Sequence, residues 1–406
     1  MINVAILGFG VVGSGVADVL TENRSIIENK VGEKINIKYI LDLRDFPESP
    51  FGHLVVHDFN VILNDPEVSV VAEMMGGSHP AYDFSKAALL AKKSVVTSNK
   101  EVVANFGAEL LEIAKENGVS YLFEASVGGG IPIIRPMCND LASNRVLAVN
   151  GILNGTTNYI LTKMMTEGAA FDDVLRDAQE KGYAERNPAA DVEGLDAARK
   201  IVILAALAYG VAISPDVIHT EGITKITSED VDIAQSLGYA VKLIGHAEKC
   251  DSGILAMVSP RLIPLSSPLA GINDVFNGIL LDCDMVGKVM FYGPGAGKLP
   301  TASAVCADIV DIASHGADAI KLPTFVAAEP SDVADFSSYA CRRLFIFKRC
   351  EGCEPNIECA EKLFGKIETL SLFGDKVAVL TAEPMREDVA LNITSKLNCG
   401  KAYRLL

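Results

Sequence analysis

Asn3-Val4-Ala5-Ile6-Leu7-Gly8-Phe9-Gly10-Val11-Val12-Gly13 opens the chain and decides its architecture. Residues 3–8 form a short apolar run, the pattern of a strand covered on both faces in a parallel sheet. Gly8-x-Gly10-x-x-Gly13 follows, and Ser14-Gly15-Val16-Ala17-Asp18-Val19-Leu20 then takes helical spacing. Each glycine has its own task. Gly8 permits the tight turn, Gly10 lets a pyrophosphate approach the backbone, and Gly13 lets helix and strand pack closely. The anion then rests on the free N–H groups of the helix N-terminus. Glycines also mark ordinary turns. Here the strand before and the helix after make dinucleotide binding the reading, with contacts at Gly8, Phe9, Gly10, Val11, Val12 and Gly13.

The same rhythm continues outward. Ile35–Leu41 reads as a second strand ending in Asp42-Leu43-Arg44-Asp45. An acid at that strand end accepts from the ribose 2′-OH of NAD, and an arginine pairs with the 2′-phosphate of NADP. Both types are present, so both cofactors stay open. The reading leans to NADP through Arg44, with solvated loop charges as the plain alternative. Further strands are expected over 68–75, 94–97 and 119–123, with helices over 82–92 and 109–117. Ser98 and Lys100 follow the strand at 94–97, at the edge where open parallel sheets bind ligands.

Composition narrows the function classes. The 406 residues suggest about two to four domains, and 36 Lys+Arg against 52 Asp+Glu leave a net charge of −16. That balance argues against nucleic acid, which needs a cationic face. The N-terminus has no basic segment before its apolar run, and no apolar stretch reaches the roughly 20 residues of a membrane span. Nine cysteines, an odd number and sparse over most of the chain, fit a reduced cytoplasmic protein.

Past residue 135 the rhythm changes. Gly182-Tyr183-Ala184-Glu185-Arg186-Asn187-Pro188-Ala189-Ala190-Asp191-Val192-Glu193-Gly194 reads as a loop, and helical spacing begins at Leu195. Asp196 and Lys200 are i and i+4 on one helix face, and Lys200 borders the most apolar helical segment, 201–208. A lysine entering a dry site beside carboxylates can shuttle a proton near neutral pH. A plain surface ion pair has the same spacing, so spacing alone does not separate the two.

The chain to about residue 320 resembles homoserine dehydrogenases of the aspartate pathway. The stretch 182–200 matches the family signature nearly position by position. Matching segments at 8–13, 97–100, 124–132, 154–159 and 295–303 occur in family order. The resemblance implies reversible hydride transfer between aspartate-4-semialdehyde with NAD(P)H and L-homoserine with NAD(P)+. It also implies that Lys200 exchanges a proton with the substrate oxygen, and that Lys100 lies between nicotinamide and substrate. Glu185, Asp191 and Asp196 would hold the amino acid. Glu124, Val127, Gly129 and Ile131 would bind a monovalent cation such as Na+, mostly through backbone carbonyls. Gly293-Pro294-Gly295-Ala296-Gly297-Lys298 is not read as a P-loop, because Tyr292 and Leu299 depart from that motif and no strand clearly precedes it.

The expected fold is α/β. It comprises a Rossmann-type dinucleotide-binding domain (1–135, completed by a helix within 300–322), an α+β catalytic and dimerisation domain (136–299), and a small α+β segment (337–406). The order strand, helix, strand, helix, strand in that segment resembles an ACT domain, for regulation by an amino-acid effector or for assembly as a homodimer or tetramer. Its Cys350-x-x-Cys353 lacks the second matched pair of a zinc site and reads as isolated thiols. Two other readings remain: a non-catalytic dinucleotide sensor, or a dehydrogenase of a related semialdehyde. Arg44→Ala is expected to weaken NADP binding more than NAD binding. An unchanged ratio of the two dissociation constants, measured by titration, would discard the NADP reading.

Overall fold

The apolar run that opens the chain becomes a central strand of a parallel sheet. The computed structural model describes residues 1–316, 319, 322–349, 356–397 and 400–406. In it, β1 (Ile2–Leu7), β2 (Ile35–Leu41), β3 (Val55–Val56), β4 (Val68–Glu73), β5 (Ser94–Thr97) and β6 (Tyr121–Leu122) lie in the order β3-β2-β1-β4-β5-β6. Every neighbouring pair is parallel. Val4, Ala5, Ile6 and Leu7 are fully buried, as a strand covered on both faces requires. Strand order reverses between β1 and β4, and such a switch point leaves a crevice at the carboxyl ends of the strands.

Residues 1–149, 199–217 and 277–328 form one compact unit, and 150–198, 218–276 and 329–406 a second. In the first, α1 (Val11–Glu22) leaves β1 through the glycine turn. Helix Lys298–His315 sends Ala302, Val305 and Ile309 into the apolar cluster of Val4, Ile6, Val16 and Ala17. Lys298 pairs with Asp18 on α1 at 2.7 Å.

A strand, Gly287–Pro294, does run into the glycine-rich stretch at 293–298, which corrects one expectation. Its Lys288, Met290 and Tyr292 are exposed, so apolar residues on the open face blur the alternation that marks a strand. The departures at Tyr292 and Leu299 still separate this stretch from a P-loop. The helix expected over 109–117 begins earlier, as Lys100–Asn117, because the Asn99 side chain caps it by accepting from the Glu101 and Val102 amides.

The second unit contains a long antiparallel hairpin, Tyr239–Cys250 with Gly253–Pro264, in unbroken register. Besides the two-residue strands Ala340–Cys341 and Met385–Arg386, which pair with each other, its C-terminal part holds one strand more than the sequence suggests. Arg343–Lys348, helix Ile357–Phe364, Ile367–Phe373, Lys376–Thr381, helix Glu387–Lys396 and Lys401–Leu405 follow in a β-α-β-β-α-β order. The first of these helices stops at Phe364, where Gly365 takes φ +73°. Ile367–Phe373 instead pairs with Lys376–Thr381. It is the last strand in its sheet and only partly buried, so its apolar pattern is weak. Phe345, Phe364, Val377, Val379, Ala390 and Ile393 form the core of this part.

Cys350, Cys353 and Cys399 lie outside the described residues. Among the described residues, Cys341 is buried, Cys359 is exposed and both are free thiols. There is also no group of three or more His, Cys, Asp or Glu side chains able to hold a metal ion. No described helix is long and apolar enough to cross a membrane. Ile309→Ala removes a fully buried side chain from the cluster shared with α1, and is expected to destabilise by about 2–5 kcal/mol. Urea unfolding checks this, and a loss below about 0.5 kcal/mol would contradict the packing described.

Candidate active site

The turn between β1 and α1 is shaped by what a side chain would strike. Gly8 has φ +86°, and a Cβ on Gly13 would lie 2.0 Å from the Gly8 carbonyl oxygen. Around Gly10 nothing lies within 4 Å of where a Cβ would stand. No side chain caps α1, and the first-turn amides of a helix have no acceptor within it. Open space, unspent donors and the positive end of the helix dipole are what a pyrophosphate needs. The residues present therefore fit a dinucleotide.

Asp42 and Arg44, competing cofactor signals in the sequence, turn out to be partners. Arg44 donates from Nε to Asp42 Oδ1 at 2.9 Å and from Nη2 to Oδ2 at 3.0 Å. The Phe9 amide, inside the glycine turn, donates to Asp42 Oδ2 at 2.8 Å. The hydrogen-bonded Arg44 guanidinium holds the Asp42 carboxyl low, at about 2. Asp42 thus ties the end of β2 to the glycine turn, while Arg44 remains exposed.

A buried carboxylate organises the next strand ends. Glu73, fully buried at the end of β4, accepts from Thr97 Oγ1 at 2.6 Å and from the Met75 amide at 2.7 Å. Thr97 Oγ1 in turn accepts from the Asn99 amide at 2.9 Å, and Asn99 caps the helix that begins at Lys100. Burial pushes the Glu73 carboxyl up, and these hydrogen bonds oppose the rise. Ser98 and Lys100 are therefore set on a network spanning β4, β5 and the following helix. Glu73 carried no signal in the sequence beyond its position at a strand end.

In the second unit, one amide joins two of the acidic candidates. Asn154 Nδ2 donates to Asp191 Oδ1 at 2.7 Å and to Asp196 Oδ2 at 2.9 Å. Its Oδ1 accepts from the Thr157 amide at 2.9 Å, so the same side chain caps helix Gly155–Glu167. Thr156 Oγ1 holds the other end of the loop through the Tyr183 carbonyl at 2.5 Å. Within the stretch read as loop, Ala189–Val192 forms one short helical turn. Asp191 is half-buried and Glu185 exposed, and no described hydrogen bond draws Glu185 into the Asn154 cluster.

Asp196 and Lys200 stand one turn apart on helix Leu195–Tyr209. They are 4% and 8% exposed, which excludes the solvated surface pair. Asn154, which donates to two of the candidate acids, is not among the residues singled out in the sequence. Its signal was an asparagine at a helix start, which capping alone explains.

Glu124 is committed to structure. Its Oε1 accepts from the Ile133 and Ile134 amides at 2.6 and 2.9 Å, and its Oε2 from the Arg135 amide at 2.8 Å. These bonds engage the Glu124 side chain alone and do not involve the backbone carbonyls of Glu124, Val127, Gly129 and Ile131.

A strand order of this kind with an open glycine cradle is the apparatus of NAD(P)-dependent oxidoreductases. Residues 8–124 match the family model for the NAD-binding domain of homoserine dehydrogenase, and 132–310 match that for homoserine dehydrogenase. The chain is 42% identical over 343 residues to the homoserine dehydrogenase of Bacillus subtilis, covering 82% of this chain and 79% of that one. Among solved structures, a homoserine dehydrogenase from Thiobacillus denitrificans superposes with a TM-score of 0.91 at 34% identity, covering 100% and 98% of the two chains. A hyperthermophilic archaeal homoserine dehydrogenase in complex with NADPH gives a TM-score of 0.65 at 28% identity, covering 76% and 97%. The chain belongs to the homoserine dehydrogenase family.

Asn154→Ala loses both the cap and the carboxylate bridge, whereas Asn154→Asp keeps the cap and sets a third carboxylate against Asp191 and Asp196. Both are expected to lower kcat/KM with homoserine by about 10–100-fold. If Asn154→Asp is as active as the parent in steady-state assays, the bridge has no part in the site.

Proposed function

We propose that this chain interconverts L-homoserine with NADP+ and L-aspartate-4-semialdehyde with NADPH. The observation that carries this reading is the Asn154-bridged acidic pair, with buried Lys200 one helical turn beyond its second member. When bound, the nicotinamide accepts or supplies the hydride. Asp191, Asp196 and Glu185 bind the substrate ammonium, for which carboxylates are the matching charge. Lys200 gives a proton to the carbonyl oxygen in reduction and takes one from the hydroxyl in oxidation. Lys100 offers a second positive charge where negative charge develops on that oxygen.

A preference for NADP is supported by the exposed Arg44, held at the end of β2 by a carboxylate whose oxygens already accept from Arg44 and Phe9. The archaeal relative with NADPH is consistent with it. The same reading places a monovalent cation on the carbonyls of the turn at 124–131. It also keeps 1–135 with 300–322 as the nucleotide domain and 136–299 as the catalytic and dimerisation domain of a cytoplasmic homodimer or tetramer. Residues 337–406 serve as an ACT-like regulatory or assembly domain, for which their β-α-β-β-α-β order speaks.

The test is oxidation of L-homoserine with NAD+ and NADP+ in parallel, followed by reduced-nicotinamide absorbance. Lys200→Ala should lower kcat by at least about 10²-fold with cofactor affinity retained within a few-fold. No turnover by the parent despite measurable cofactor binding would overturn the proposal. Activity of Lys200→Ala within a few-fold of the parent would remove Lys200 from the proton step.

A further inference from the structure

Three arginines form one rung across three neighbouring strands of the second unit. Arg261 on Gly253–Pro264 is in register with Arg404 on Lys401–Leu405, and Arg404 with Arg343 on Arg343–Lys348. Residues paired across neighbouring strands share a face, and like charges so placed repel. All three are buried, with exposures of 1%, 3% and 0%. A buried charge demands a partner, and the partners here are unequally shared.

Arg404 has two carboxylates. Its Nη1 and Nη2 donate to Glu221 at 3.0 and 2.8 Å, and its Nε and Nη2 to Glu387 at 3.0 and 2.8 Å. Arg343 Nη2 also donates to Glu387, at 2.6 Å. Arg261, at the end of the rung, has none. Its Nη1 donates to the Tyr339 hydroxyl at 2.9 Å, its Nη2 reaches the Met257 sulfur at 3.0 Å, and its Nε has no partner. Among the described residues no carboxylate forms an ion pair with it. Glu248 faces the His246 imidazole at 3.6 Å without a hydrogen bond, and Arg261 attracts its carboxylate only weakly, from beyond ion-pair distance.

Beside Arg261 lies a cavity of about 310 Å³, lined also by His246, Tyr339, Tyr239, Pro264 and Leu405. His246 adds no charge. Its Nδ1 is bonded to Asn150 Oδ1 at 2.8 Å, its Nε2 has no hydrogen-bond partner, and burial holds the imidazole down at about 4. Arg342, also on the lining, is engaged with the Thr381 carbonyl and Glu368. Among the described residues on this lining, Arg261 is the guanidinium with no carboxylate in contact, Glu248 acting on it only from a distance.

We propose that this cavity binds a small monocarboxylate with an apolar body, the carboxylate on Arg261 and the Tyr339 hydroxyl, the body against Pro264, Tyr239 and Leu405. One carboxylate matches one guanidinium that no described carboxylate contacts. A sulfate or phosphate would turn its remaining oxygens toward apolar walls, at the cost of unmet hydrogen bonds. The site does not depend on the hydride-transfer reading.

Calorimetric and thermal-shift titration of the full chain tests it, with isobutyrate, its neutral isostere isobutyramide, and sulfate as probes. Isobutyrate is expected to bind and to raise Tm by on the order of 2 °C at about ten times its Kd. Isobutyramide should do neither, and sulfate should bind at least about 10-fold more weakly. Arg261→Met should weaken isobutyrate at least about 10-fold, and Tyr339→Phe, the milder variant if Arg261→Met does not fold, by several-fold. The proposal is overturned if isobutyrate does not bind, or if the amide matches it. It is also overturned if sulfate binds as tightly, or if a folded variant binds isobutyrate as the parent does.

Discussion

Two carboxylates brought together repel, and in this protein one amide makes their meeting stable. Asn154 spends its donors on Asp191 and Asp196 and its acceptor on the helix that carries it. Helix Gly155–Glu167, the short turn at Ala189–Val192 and the start of helix Leu195–Tyr209 are therefore bound through a single side chain. Each of these bonds satisfies a polar group that burial has removed from bulk water. Acidic groups fixed in this way are in place before any cationic ligand arrives.

The nucleotide-binding unit follows the same rule with different chemistry. Glu73 is fully buried and stays compatible with the fold because a threonine hydroxyl and a backbone amide point at it. Asp42 spends its oxygens on Phe9 and Arg44 and thereby joins a strand end to the glycine turn. The overall charge of −16 has little bearing on the anionic cofactor. Helix-end amides act at close range, and at ordinary salt distant surface charges are screened within about 10 Å.

The Rossmann sheet could be read from residues because its signals are local. An apolar run, three glycines at set spacing and the next helix all fall within the first 22 residues. Lys100 at a strand end, and Asp196 and Lys200 one turn apart, were legible for the same reason. Elements with mixed faces were harder. Gly287–Pro294 alternates in burial but exposes Met290 and Tyr292, and Ile367–Phe373 is only partly buried and exposes Leu372, so in neither does residue polarity follow the faces of the strand.

By itself, the sequence determined the strand–glycine–helix entry and the parallel α/β class, because periodicity and spacing act over a few residues, whereas the candidate lysines and acids were singled out as site residues only by resemblance to a family. Tertiary structure alone decided which groups meet. Asn154 lies 42 residues from Asp196, Glu124 lies 184 from Asp308, and Arg404 lies 183 from Glu221. Spacing carries no information about such pairs. They are selected when burial strips water from polar groups, so that each must find its partner wherever the chain has brought one.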